Sequence, residues 1–221
     1  MDWTKWDWQA SIDRHCTDIA PFVAVMIAMA GLIGGKVVET LPRHVVLAIL
    51  ELLRPAESIT RRIIVMAARG LVVPPSERAG PDGPIPRGDG TGERIPAFRL
   101  FDPRKPLGPR RKSAPGYGPR IWIIGGENDP ACEKRDPMPD DRVPAGRLCR
   151  RLLALQAALA NIPRQARRLA RALARASCKY DQPMRRGRPP GHREGGKDAL
   201  DEILANAQVL ASLAMLHPKP G

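Results

Sequence analysis

Residues 19–35, IAPFVAVMIAMAGLIGG, run for seventeen positions without a charge. A helix rises ~1.5 Å per residue, so the run reaches ~26 Å, and its continuation to residue 38 reaches ~30 Å, the thickness of a bilayer's hydrocarbon core. Ile19, Phe22, Val23, Val25, Ile27, Leu32 and Ile33 each favour insertion by roughly 0.3–0.6 kcal/mol, about 2–4 kcal/mol together. Trp3, Trp6 and Trp8 precede the run, where indoles suit a headgroup layer, and Lys36 can snorkel beyond it. The stretch 19–38 therefore reads as a transmembrane helix, with the all-apolar core helix of a small globular domain as the rival reading.

A cleaved signal peptide does not fit. Asp2, Asp7, Asp13 and Asp18 outweigh Lys5 and Arg14 in the leading segment, and no A-x-A-like site follows Gly35. Lys36, Arg43, Arg54, Arg61 and Arg62 follow the run closely, so the positive-inside rule places the C-terminal side in the cytoplasm.

Residues 39–73 predict two short amphipathic helices. Thr40 caps the first, Pro42 sits in its first turn, and Leu41, Val45, Ala48, Ile49 and Leu52 form its apolar face. Pro55 restarts the chain for the second, in which Ile59, Ile63 and Ala67 mark one side, Arg61, Arg62 and Arg69 the other, and Gly70 the stop. Such a pair either lies in the headgroup plane of an anionic leaflet or packs on itself as a cytosolic cap.

The texture then changes. The 72 residues of 74–145 hold fifteen Pro and ten Gly, a low-complexity level, so 74–143 reads as a mostly disordered linker. GDGTG at 88–92 follows no strand and precedes no helix, which excludes a phosphate loop. Residues 97–101, AFRLF, and 120–126, RIWIIGG, can order locally, as a small hairpin or by docking on a partner's sheet.

Residues 144–179 predict a basic helix introduced by Asp140 and Asp141, with Pro144 in its first turn. Leu148, Leu152, Leu155, Leu159, Ile162, Ala166, Leu169, Leu173 and Ala176 alternate steps of four and three, an unbroken heptad seam. Pro163 kinks or restarts the helix, with Asn161 available as a cap. A second amphipathic helix at 197–216 carries Leu200, Ile203, Leu204, Ala207, Leu210, Ala211 and Ala214 on one side. It pairs with the seam as an antiparallel hairpin, or the seam joins a second copy or another protein.

Of the formal charge of +13, all resides in 142–193, where fourteen Lys or Arg face Asp181 alone. Arg150, Arg151, Arg164, Arg167, Arg168, Arg171 and Arg175 fall off the seam, and the basic turn 180–196 adds Arg185, Arg186, Arg188 and Arg193. Such a surface seeks a polyanion: anionic lipid, nucleic acid or an acidic protein face. Arg186-Gly187-Arg188-Pro189 resembles the core of an AT-hook, although Arg185 stands where a Pro is usual and Pro190, Gly191 and His192 where basic residues follow. Cys16, Cys132, Cys149 and Cys178 form no metal or disulfide pattern and fit reduced thiols. No nucleophile and base, carboxylate pair or metal cluster stands out, so the sequence points to no enzyme and no cofactor.

TLPRH at 40–44, LLRPAES at 52–58, AARGL at 67–71, LFDPRKP at 100–106, PRQARRLARALAR at 163–175 and GRPPGHR at 187–193 resemble a family of alphaproteobacterial membrane-associated proteins with no assigned function. The resemblance implies a bacterial inner membrane and no activity. The resulting expectation is a mainly α, single-pass membrane protein that tethers or scaffolds a polyanionic partner or leaflet, with nucleic-acid binding through the same arginines as the alternative.

Overall fold

The computed structural model describes residues 6–32, 38–73, 96–103, 138–175, 182–185, 187–192 and 198–217. The described chain is mainly helical: α1 (Trp8–Met29), α2 (Arg43–Ala67), α3 (Gly146–Leu159), α4 (Ile162–Arg175) and α5 (Ala199–Leu216), with two short strands, β1 (Thr40–Pro42) and β2 (Arg142–Pro144). Trp3, Lys36, the 88–92 and 120–126 stretches, Cys132, Ala176, Cys178, Arg186 and Arg193 lie outside the described residues.

The apolar run is not a helix over 19–38. Its helix starts eleven residues earlier, at Trp8, where Asp7 caps it by accepting from the Ala10 N–H at 2.9 Å. It stops at Met29 because the run contains its own terminator. Gly31 adopts φ 65°, and the amides of Gly31 and Leu32 donate to the carbonyls of Ala28 and Ile27 at 3.0 and 3.1 Å. That pair of bonds is a Schellman motif, which closes the last turn. Ile12, His15, Ile19, Val23 and Met26, one stripe at steps of three and four, are buried, while Val25 on another side is 50% exposed. Among the described residues, the helix long and apolar enough to cross a membrane is α5 rather than α1, and α5 lays Leu200, Leu204, Ala207, Ala211 and Ala214 on the helical core.

Where two helices were expected in 39–73, α2 is one helix of 25 residues that runs through Pro55. Proline removes the amide that would bond to the carbonyl of residue 51. Burial on every side compensates: from Ser58 to Met66 each residue is buried, with α1, α3, α4 and α5 all packed against α2. Thr40 and Pro42 do not cap or begin a helix turn as expected. They lie in β1, antiparallel to β2 with Leu41 opposite Val143, and Pro42 is the residue before the helix. The amides of Arg43 and His44 donate to the carbonyls of Asp141 and Pro139, both at 2.9 Å, so residues 138–144 supply acceptors that α2's first turn lacks. Asp140 and Asp141 consequently sit in the turn that precedes β2 and caps α2, and α3 starts at Gly146 instead.

Parts of the expected linker belong to the core. Phe98, Leu100 and Asp102 are buried with period two, an extended segment lying on the helices without pairing as a strand. The heptad seam also has a different partner. Leu148, Leu152, Leu155, Ile162, Ala166 and Leu169 are buried on α2 and α1, whereas Leu173 is 38% exposed, and α5 packs on α2 and α1. Because α2 is buried on every side from Ser58 to Met66, it offers more contact surface than either amphipathic helix could offer the other.

Candidate functional site

The arginines of the C-terminal half divide by their surroundings. α4 begins after Asn161, whose side-chain oxygen accepts from the Arg164 N–H at 3.1 Å. Ile162, Gln165, Ala166, Leu169 and Ala170 face inward. Their spacing forces Arg164, Arg167, Arg171 and Arg175 onto the solvent side, where all four are exposed. Arg168 is half-buried and donates to Gln165. Arg175 donates to the Arg171 carbonyl at 3.1 Å. Neither α3 nor α4 contains an acidic residue. Like charges three or four apart cost a helix roughly 0.2–0.5 kcal/mol per pair, so burial of the inner face must hold this charged surface together.

A groove borders the start of this face, walled by Trp6, Trp8, Leu71, Pro163 and Arg167 among others. Trp6 is 37%, Leu71 42% and Val72 91% exposed, so the rim of α1 and the end of α2 present apolar side chains. Trp8 also receives the Arg69 guanidinium over its ring at 4.7 Å, and Arg69 donates to the His217 carbonyl at 2.6 Å, which locks α1, α2 and α5 together.

The basic turn is anchored. The Arg185 N–H donates to Asp102 at 3.2 Å, the Asp102 N–H to the Pro183 carbonyl at 2.9 Å, and the Arg185 side chain to the Arg188 carbonyl at 2.7 Å. Gly187 takes φ 82°, away from the extended backbone a minor-groove hook would need at that position. Gly191, at φ 89°, lies so close to α2 that a Cβ would stand 2.5 Å from the Pro55 nitrogen. The structure thus places Arg164, Arg167, Arg168, Arg171 and Arg175 on one helix, and Arg185 and Arg188 in a turn fastened to Asp102.

Residues that the periodicity set on an outer face form the second constellation. Arg62 is fully buried and donates to both oxygens of Asp102 at 3.1 and 2.9 Å, to Gln208 at 2.7 Å and to the Ser58 carbonyl at 2.9 Å. Arg61, 4% exposed, lies 3.3 Å from Asp102 and 3.6 Å from Glu57, yet its Nε and one Nη have no hydrogen-bond acceptor. Burial pushes its guanidinium below the ordinary arginine range, and Asp102 and Glu57 oppose that shift. Glu57 is itself held by Arg151, at 2.9 and 3.0 Å. One signal for this network was legible: Ile59, Ile63, Ile64 and Val65 flank the two arginines closely enough that their burial would require carboxylates, and Asp102 continues the inward phase of Phe98 and Leu100. Among the described residues no group of three or more His, Cys, Asp or Glu is placed to hold a metal.

No protein-family model matches the chain. No curated protein and no solved structure matches it either.

Proposed function

We propose that this protein is a helical scaffold that docks on an anionic membrane surface through the arginine face of α4. The observation that carries the reading is the join between that face and the groove: Arg167 shares a wall with Trp6, Trp8 and Leu71, and Val72 stands almost fully exposed nearby in sequence. Guanidiniums beside indoles and aliphatic side chains match headgroup phosphates above acyl chains. A nucleic-acid surface uses the guanidiniums but leaves the aliphatic rim unexplained. The association is peripheral, with α1 and α5 retained in the helical core.

Each arginine near an anionic leaflet contributes about 1 kcal/mol, so exchanging Arg164, Arg167, Arg171 and Arg175 for Gln weakens binding about a thousandfold. Co-sedimentation with phosphatidylglycerol–phosphatidylcholine vesicles measures it, with phosphatidylcholine alone as the uncharged control. Equal sedimentation of the exchanged protein overturns the reading. Failure to sediment with either vesicle, together with a salt-sensitive shift of a DNA duplex, replaces it with the nucleic-acid reading.

A further inference from the structure

A cavity of about 910 Å³ opens between α2, the 96–103 segment and α3. Its wall includes Arg61, Arg99, Arg147, Arg150 and Arg151 against Glu57 and Asp102, an excess of three positive charges. Both carboxylates are already committed. Asp102 accepts both arms of Arg62 and the Arg185 amide, and Glu57 accepts both arms of Arg151. Arg61 is the arginine they hold least: it lies in ion-pair range of both, 3.3 Å from Asp102 and 3.6 Å from Glu57, after their hydrogen bonds have gone to Arg62 and Arg151. It is buried, it lines the cavity, and its Nε and one Nη make no hydrogen bond. Buried donors without acceptors are rare and costly, and a guanidinium fork is matched best by a planar or tetrahedral oxyanion.

The remaining wall is apolar, with Pro96, Phe101, Pro103 and Ala154. Phe98 packs against Arg61 itself, 6.0 Å from ring centre to guanidinium carbon. The volume suits a ligand of nucleotide size. One carboxylate would offset a single charge, whereas a diphosphate offsets most of the excess.

We propose that this cavity binds a small organic diphosphate, its phosphates on Arg61 and on Arg147 and Arg150 at the mouth, and its organic body against Phe101 and the prolines. The site is separate from the α4 face and does not depend on the membrane reading.

ADP, titrated into the full chain at low salt and followed by calorimetry, is the probe. The expected result is saturable binding of one ADP per chain, tighter than that of inorganic pyrophosphate. Arg61→Lys keeps the charge but removes donors, and weakens ADP about tenfold or more. Because that variant perturbs a buried residue, the exposed pair Arg147→Gln with Arg150→Gln serves as the second test, with the same direction of change and unaltered helicity. Exchanging the four exposed α4 arginines leaves ADP affinity within about twofold, since distant sites act independently. Absence of ADP binding overturns the proposal, as does binding that survives the Arg147/Arg150 exchange. Binding lost only with the α4 arginines overturns it too, since the phosphates would then be held at the surface. Pyrophosphate binding as tight as ADP overturns the role of the organic body.

Discussion

Arg61-Arg62 on α2 and Arg167-Arg168 on α4 are the same dipeptide on two helices, and their surroundings are opposite. The first pair is buried, at 4% and 0% exposure, in the most enclosed stretch of the molecule. The second has one member exposed and the other half-buried, on a helix without a carboxylate. The difference does not lie in the arginines. It lies in residues 96–103, which bring Asp102 to α2 across forty positions of sequence, whereas among the described residues no carboxylate is paired with an α4 arginine. Charge that is compensated becomes structure; charge left uncompensated on an exposed helix is available to a partner.

The sharpest way to break the comparison is Asp102→Asn. It strands Arg62 without its counter-ion, and removing one partner of a buried pair costs about 3–5 kcal/mol. Urea denaturation followed by circular dichroism should show that loss; a loss under about 1 kcal/mol would mean that Arg62 is solvated in solution. The paired exchange Arg62→Met with Asp102→Leu should recover only part of the stability. Arg61 also leans on Asp102, at 3.3 Å, and would lose it.

The turn that closes over Asp102 supplies the next largest effect. Gly191→Ala meets both a left-handed φ and a contact of 2.5 Å with the α2 backbone, and backbone atoms cannot swing aside. Strain and overpacking together cost about 2–4 kcal/mol. Gly187→Ala, at φ 82° with open space around it, carries only the conformational part, about 1–2 kcal/mol. Equal losses in the two variants would show that the turn does not press on Pro55.

The helical class was legible in the sequence, and so was the break at residues 160–161, where Asn161 caps the restarted helix before Pro163. The arginine face of α4 was legible because a 3.6-residue period needs only local spacing. The bounds 19–38 differ from the helix found, Trp8–Met29, for a physical reason: an all-apolar run looks alike in lipid and in a protein core, and only the Gly31 terminator marks where the helix ends. Pro55 was read as a break because the local cost of a proline is visible and the tertiary burial that offsets it is not. Arg61, Arg62 and Asp102 escaped notice since periodicity sorts residues by polarity. It cannot register a buried ion pair whose members are forty residues apart.

Between the two extremes stands Arg151, on α3 yet paired with Glu57 of α2. It is 43% exposed against 16% for Glu57, so water screens the pair and Arg151→Gln should cost no more than about 1 kcal/mol. Smallest of all is the effect on stability of exchanging Arg164, Arg167, Arg171 and Arg175 for Gln. Each loses a charge that no carboxylate on α3 or α4 answers, and relief of repulsion returns roughly 0.2–0.5 kcal/mol per pair. Gln is nearly as good a helix former as Arg, so propensity changes little. The net expectation is a stability equal to or slightly above that of the parent, by thermal denaturation at low salt, with the gain fading as salt is raised. A loss above about 1 kcal/mol would place a carboxylate against α4 after all, and would make its arginines part of the fold in the manner of Arg62.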